Sequence, residues 1–302
     1  MLDPLTEMLR GLRLDGVEYG RCMPTAPWGA SYAPGETAYF HFVANGSAWL
    51  QPHNSDWIEL KAGDSVLLPR GEGHVLSSSP GVPAKPLKLM SRKTVCEGIV
   101  DVYDQNYDGG TLLFFAVLRF NLDQEHPLLR MMPSVMQTRD LAQSEPTIPA
   151  LLDAMMREVN MSRVGAGGIL SRLADVLTAT IIRTWVENGY GDPSGWLAAV
   201  RNPDIGRVLA SVHLKPTHSW SVDELANVMG ASRSSFAQRF VDAVGVTPAR
   251  YVTKMRMHQA KQWLREGRRV SSVAEILGYE SEASFSRAFK RMMGTSPSRV
   301  RV

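Results

Sequence analysis

The chain has 302 residues, 44% apolar and 21% charged, a composition that excludes a mainly disordered protein and predicts two domains. Its two cysteines, Cys22 and Cys96, exclude a disulfide-stapled scaffold. The acidic start lacks a secretory pattern and the longest apolar run, Leu112–Leu118, is too short to span a bilayer, so a cytoplasmic protein is expected. The net charge of +3 divides unevenly: residues 203–302 hold 16 Lys+Arg against 8 Asp+Glu, and residues 1–202 hold 17 against 22. A basic terminal third on an acidic body predicts a polyanion partner at that end.

From Val17 to about Phe120 short apolar runs such as Ala38–Val43, Trp57–Leu60 and Ser65–Leu68 alternate with turn signals. Pro34-Gly35, Asn45-Gly46 and Ala62-Gly63-Asp64 are such signals, and the pattern predicts a sandwich or small barrel. Lys85–Gly110 reads as a long insertion loop, and Gly110–Phe120 as one more buried strand. From about Thr147 the period becomes helical. Ile148, Leu151, Leu152, Met155 and Val159 fall on one face. In the next helix Ile169, Leu173, Val176, Leu177, Ile181 and Trp185 recur at helical spacing. That stripe must be buried against the barrel or across a homodimer axis.

The terminal third holds one unit twice. Val222-Asp-Glu-Leu-Ala226-Asn-Val-Met-Gly230 corresponds to Val270-Ser-Ser-Val-Ala274-Glu-Ile-Leu-Gly278. Phe236 and Phe240, followed by Gly245 and Thr247-Pro248, correspond to Phe285 and Phe289, followed by Gly294 and Ser296-Pro297. Each unit predicts a helix-turn-helix: Ala permits close crossing, Gly stops the first helix, Ser232 or Ser281 caps the second, and the phenylalanines face inward. A connecting helix over Pro248–Arg265 would fix the separation of two reading helices. On the groove faces lie Arg233, Ser234, Ala237 and Gln238, with Arg239 near the DNA backbone, and Glu282, Ala283, Ser286, Arg287 and Lys290. Gln238 has the geometry to read adenine and Arg287 guanine, while Lys290 suits phosphate.

Residues 203–302, and above all the stretch from Val273-Ala-Glu-Ile-Leu-Gly-Tyr279 through Gly294-Thr-Ser-Pro297, resemble the DNA-binding domain of the AraC/XylS regulators. The resemblance implies a transcription regulator, most often an activator that contacts RNA polymerase. Gly63-x5-Pro69-x-Gly71-x2-His74 resembles the second motif of cupin barrels, with His74 pointing inward. The first cupin motif keeps only His41, which disfavours a catalytic iron site. The expected fold is therefore α+β, with a cupin-like sensor barrel over 1–125. A helical linker and dimerisation region over 126–200 precedes an all-α double helix-turn-helix over 201–302.

Over its whole length the chain is similar to AraC-type activators that sense reactive chlorine species. The resemblance rests on Cys22, Trp28, His41, His74 and the Trp196-Leu197 segment. It implies a redox cysteine at Cys22. Those sensors carry their second cysteine in the strand equivalent to Leu112–Phe120, where this chain has Leu112 and Phe115, so an intramolecular disulfide is not implied. Cys22 has three readings: a redox switch, a Zn²⁺ ligand with His41 and His74, or an inert buried thiol. Trp28, Tyr39 and Phe40 are candidates to line an apolar effector pocket, and His53 reads as a surface turn residue. The competing function classes are a cupin-type metal enzyme with an accessory helical domain and a DNA repair protein.

Overall fold

A computed structural model describes residues 14–96, 98–104, 106–107, 109–120, 129, 132–139, 145–161, 164–188, 199 and 202–300. The Trp196-Leu197 segment lies outside the described residues. The chain divides into two compact units, one of residues 13–124 with 128–190 and one containing residues 191–302.

The first unit is built on two facing sheets. Its strands are β1 (Leu14–Met23), β2 (Gly29–Tyr32), β3 (Ala38–Asn45), β4 (Ser47–Pro52), β5 (Ile58–Lys61), β6 (Ser65–Leu68), β7 (His74–Ser77), β8 (Lys85–Pro86), β9 (Arg92–Cys96), β10 (Ile99–Tyr103), β11 (Leu112–Phe120) and β12 (Met136–Gln137). The larger sheet runs β12-β6-β3-β11-β1-β10-β9 and the smaller β5-β4-β7-β2-β8. Local chemistry sets the corners. Gly46 takes a positive φ between β3 and β4, and Lys61 N–H donates to Asp64 Oδ2 at 2.7 Å to close the β5–β6 turn. A Cβ at Gly71 would strike the carbonyl oxygens of Gly35 and Thr37. That close approach explains the glycine of the Pro-x-Gly motif.

Two helices follow, α1 (Thr147–Met161) and α2 (Ala166–Asn188). They cover the outer face of the seven-stranded sheet, where Tyr19, Phe40, Phe42, Phe114 and Ala116 meet Leu152, Met155, Val159 and Leu170. The large sheet is thus buried on both faces. Alternation along each strand sends neighbours to opposite layers. Cys22, Val43, Leu113 and Phe115 face the small sheet, and Tyr19, Phe42 and Phe114 face the helices. Burial on both sides also explains why β10 and β11 carry nearly continuous apolar runs.

The expected insertion loop at Lys85–Gly110 instead carries three strands, β8, β9 and β10. β10 lies parallel to β1 inside the large sheet, and β9 forms its edge. Asp101 in β10 broke the apolar pattern in the sequence. In the fold its carboxylate accepts from Arg21 Nε at 2.8 Å and Nη2 at 2.6 Å, while Arg21 Nη1 donates to Asn160 of α1 at 3.0 Å. An acidic residue is tolerated there because a bidentate partner stands on the adjacent strand.

The α2 stripe also divides. Leu177, Ile181 and Trp185 are buried, joined by Leu170 and Ala174, whereas Ile169 and Val176 are exposed and Leu173 is half-buried. The helix presents two apolar faces, and among the described residues only one is covered.

The second unit contains α3 (Pro203–Leu214), α4 (Val222–Met229), α5 (Arg233–Val244), α6 (Pro248–Arg265), α7 (Val270–Ile276), α8 (Glu282–Met293) and α9 (Pro297–Val300). The predicted caps are in place: Ser232 accepts from Ser235 N–H and Ser281 from Ser284 N–H, and Thr247 accepts from Arg250 N–H at the start of α6. Gly230, Gly245 and Gly294 close their helices in the left-handed conformation. The sequence reading missed the capping box of α4. There Ser221 Oγ accepts from Glu224 N–H at 3.1 Å and Glu224 accepts from Ser221 N–H at 2.8 Å.

Gly20 makes a sharp test of the β1–β10 pairing. A Cβ there would meet the Val100 carbonyl oxygen and, at 2.7 Å, the Phe115 ring. Gly20→Ala is expected to cost about 1–3 kcal/mol, read as a lower urea midpoint. An unchanged midpoint would show that β10 does not pack against β1 at this register.

Candidate nucleic-acid interface and sensor cavity

Each helix-turn-helix is held by its own aromatic pair. Phe236 and Phe240 are fully buried, with ring centroids 5.6 Å apart, and Phe240 meets Tyr251 of α6 at 5.7 Å. Phe285 and Phe289, 5.5 Å apart, pack in a cluster with Met257, Ala260 and Leu264 of α6 and Val273, Ala274 and Leu277. With the phenylalanines inward, the opposite faces of α5 and α8 meet solvent. Arg233, Ser234, Gln238 and Arg239 are exposed and Ala237 half-buried. Glu282, Ala283, Arg287 and Lys290 are exposed and Ser286 half-buried. The two polar faces named from the sequence are therefore both available at the surface.

Their present partners differ. Arg233 pairs with Asp223 at 3.2 Å across the helix-turn-helix, and Gln238 Nε2 donates to Asp242 at 2.8 Å. Arg239 Nη2 reaches Asp204 of α3 at 2.8 Å, and Arg207 holds the same carboxylate at 2.9 Å. These arginines, the hydrogen bond from Arg239 foremost, hold the Asp204 carboxyl below its usual range. Arg239 thereby ties α5 to α3, a role that spacing within α5 could not reveal. Arg256 of α6 donates to the Leu277 carbonyl at the end of α7, satisfying a helix-terminal acceptor.

In the barrel His41 and His74 come together, Nε2 to Nε2 at 2.8 Å, and both are buried. His74 Nδ1 faces the Glu72 carbonyl at 3.0 Å and so carries the proton. His74 Nε2 is then the acceptor and His41 Nε2–H the donor. This leaves His41 Nδ1 a buried acceptor with no hydrogen-bond partner. Burial holds both rings neutral: His41 titrates well below its usual value, and His74 is lowered to about 4. Tyr32 stacks on His74 at 4.4 Å, and Tyr39 meets the same ring edge-on at 5.0 Å. Cys22 does not complete a ligand set with this pair. Among the described residues no three His, Cys, Asp or Glu side chains converge as a metal site. Two imidazoles fall short of the three or four protein ligands that Zn²⁺ takes.

Cys22 is a free, buried thiol, and desolvation raises it to about 12. The strand register separates it from Cys96. Cys96 pairs with Ile99, which pairs with Tyr19, three residues before Cys22 and two strands away. Standard strand spacings put the two Cα atoms on the order of 14 Å apart, beyond the roughly 7 Å a disulfide can bridge.

The three aromatic residues expected to line one pocket stand in three places. Trp28 walls a cleft with Cys22, Tyr39 sides with the histidines, and Phe40 faces the helices. Tyr39 and Phe40 are neighbours on one strand, so they cannot share a face. His53 is an exposed turn residue.

Residues 3–187 match the cupin family model, and residues 225–302 match a helix-turn-helix domain model. A putative AraC-like transcription regulator of Streptomyces lividans is 28% identical over 299 residues, covering 98% of this chain and 97% of the relative. The RCS-specific HTH-type transcriptional activator RclR of Escherichia coli K12 is 27% identical over 303 residues, covering 99% and 97%. Among solved structures, the DNA-binding domain of AdpA in complex with a target DNA is 27% identical. It covers 31% of this chain and 86% of that one, with a TM-score of 0.30. The chain belongs to the cupin family through residues 3–187 and, with its helix-turn-helix domain, is an AraC-type transcription regulator with a cupin sensor domain.

Proposed function

We propose that this regulator is a cytoplasmic, homodimeric activator that reads DNA with α5 and α8 and contacts RNA polymerase. The observation that carries the reading is the pair of exposed polar helix faces mounted on one connecting helix. Gln238 and Arg287 read base edges, and Lys290 contacts phosphate. Arg233, Ser234, Ala237, Glu282, Ala283 and Ser286 line the same faces, and Arg239 positions α5 through Asp204. The activating direction is carried over from the Escherichia coli relative, whose name calls it a transcriptional activator.

The division of labour follows 1–125 for sensing, 126–200 for dimerisation and 201–302 for DNA. Cys22, Trp28, His41 and His74 form the sensing region, whose signal is a small molecule or an oxidant. That signal must favour one of two pre-existing states, since a ligand that binds both equally shifts neither. The α2 face left exposed among the described residues supports dimerisation: Ile169, Leu173 and Val176 recur at the four-and-three spacing of a helix seam. Among the described residues the histidine pair has no third ligand, which supports a sensor over the competing metal enzyme.

Operator fragments selected from random sequence by the full-length protein provide the central assay. Arg287→Ala is expected to relax preference at one position, and Lys290→Ala to weaken every sequence alike and flatten the salt dependence by about one ion. Uniform loss for Arg287→Ala would remove its reading role. Val176→Glu is expected to convert dimer to monomer in sedimentation, and an unshifted dimer would place the interface elsewhere. Operator affinity that changes with hypochlorite in the wild type but not in Cys22→Ser would mark Cys22 as the redox contact. An identical response in both would exclude it.

A further inference from the structure

The two reading helices follow one plan, so each serves as a control for the other. Gln238 lies two residues from each of Phe236 and Phe240, and Arg287 lies two residues from each of Phe285 and Phe289. At 3.6 residues per turn that is about 200° around the helix from both buried rings, so each points out of its unit. One turn further on stand Asp242 in α5 and Arg291 in α8, and all four residues are exposed. An amide reader thus stands beside an acid in α5, and a guanidinium reader beside a cation in α8.

Helix stability does not call for Asp242. It lies in the last turn of α5, where the carbonyl ends favour a cation over a carboxylate, and α8 carries Lys290 and Arg291 in that turn. What Asp242 does is hold Gln238: its Oδ1 accepts from Gln238 Nε2 at 2.8 Å. A carboxylate only accepts, so it takes the amide by its NH₂ end and excludes the flipped amide, which would set oxygen against oxygen. Ser234, one turn before Gln238 on α5, has a hydroxyl that both donates and accepts, so it imposes no such choice.

The held amide has one N–H and Oε1 left to offer. In the major groove adenine presents N7 as acceptor and N6–H as donor, whereas guanine presents two acceptors, N7 and O6. The remaining N–H and Oε1 complement adenine. Against guanine Oε1 meets O6, and donating both N–H groups is closed because Asp242 has taken one. Arg287 needs no such partner, since a guanidinium only donates and matches the two guanine acceptors as it stands. We infer that Asp242 is a positioning residue that fixes the Gln238 amide and thereby makes it select adenine over guanine. The inference rests on the reading role proposed for Gln238 and adds the residue that sets its choice of base.

The test uses the full-length protein and the operator it selects. Gln238→Ala locates the base pair that Gln238 reads, as the one position where preference is lost. There the wild type is expected to favour adenine over guanine by about tenfold or more. Asp242→Ala and Asp242→Asn are expected to reduce that ratio to about threefold or less. Preference at the position read by Arg287 stays unchanged, and operator affinity is no weaker, since one charge that repels phosphate is gone. Circular dichroism confirms that both variants fold. A tenfold adenine preference kept by both variants, or a loss spread evenly over all positions, would overturn the inference. If Gln238→Ala alters preference at no single position, the reading role of Gln238 itself falls. If it does alter one while the Asp242 variants behave as the wild type, only the orienting role falls.

Discussion

The DNA-binding unit depends on α6 serving two hydrophobic cores at once. Tyr251 near its start joins Phe240, while Met257, Ala260 and Leu264 further along join Phe285 and Phe289. A helix has a fixed rise of about 1.5 Å per residue, so the sequence distance between those anchor residues becomes a fixed spatial separation. Each helix-turn-helix alone could bury only a handful of side chains. Sharing one stiff element gives both a floor and sets the spacing of α5 and α8 without a flexible linker. The Arg256 contact to the Leu277 carbonyl and the Tyr251–His213 contact at 2.8 Å bind the same shaft to α7 and α3.

A comparable constraint governs the barrel. Because the large sheet is covered on both faces, successive residues of β1 belong to different layers. Cys22 lines the cleft, whereas its neighbour Arg21 grips Asp101 and Asn160 on the helix side. A change of packing at one face of this strand is therefore felt at the other, since close-packed layers leave no slack to absorb it. The same sheet explains how the core accepts the Asp101 carboxylate and the two histidines: each polar group is paired or held neutral.

Where sequence reasoning succeeded, the signals were local. Caps at Ser232 and Ser281 and glycine stops at Gly230 and Gly278 are set by residues within one turn of the helix end. The inward placement of Phe236 and Phe240 follows from their four-residue spacing alone. Duplication then made each reading support the other. The failures were of another kind. Strands β8 to β10 were hidden because a pairing between β1 and β10 joins residues about eighty positions apart, and because Asp101 looks like a loop residue until Arg21 is beside it. The α2 stripe misled because two apolar faces of one helix were read as one.

The sequence by itself determined the repeated helix-turn-helix, the residues on its polar faces, the inward His74 and the charge asymmetry that sets a basic end on an acidic body. Those features depend on spacing of a few residues, or on composition. Only the tertiary structure decided that Arg239 is engaged by Asp204, that His41 meets His74 without Cys22, that Cys22 and Cys96 lie two strands apart, and that Trp28 borders a cleft with its indole N–H unmet. These facts arise from contacts between strands and helices remote in the chain. Pairing register and layer order set them, and neither is written in any single segment.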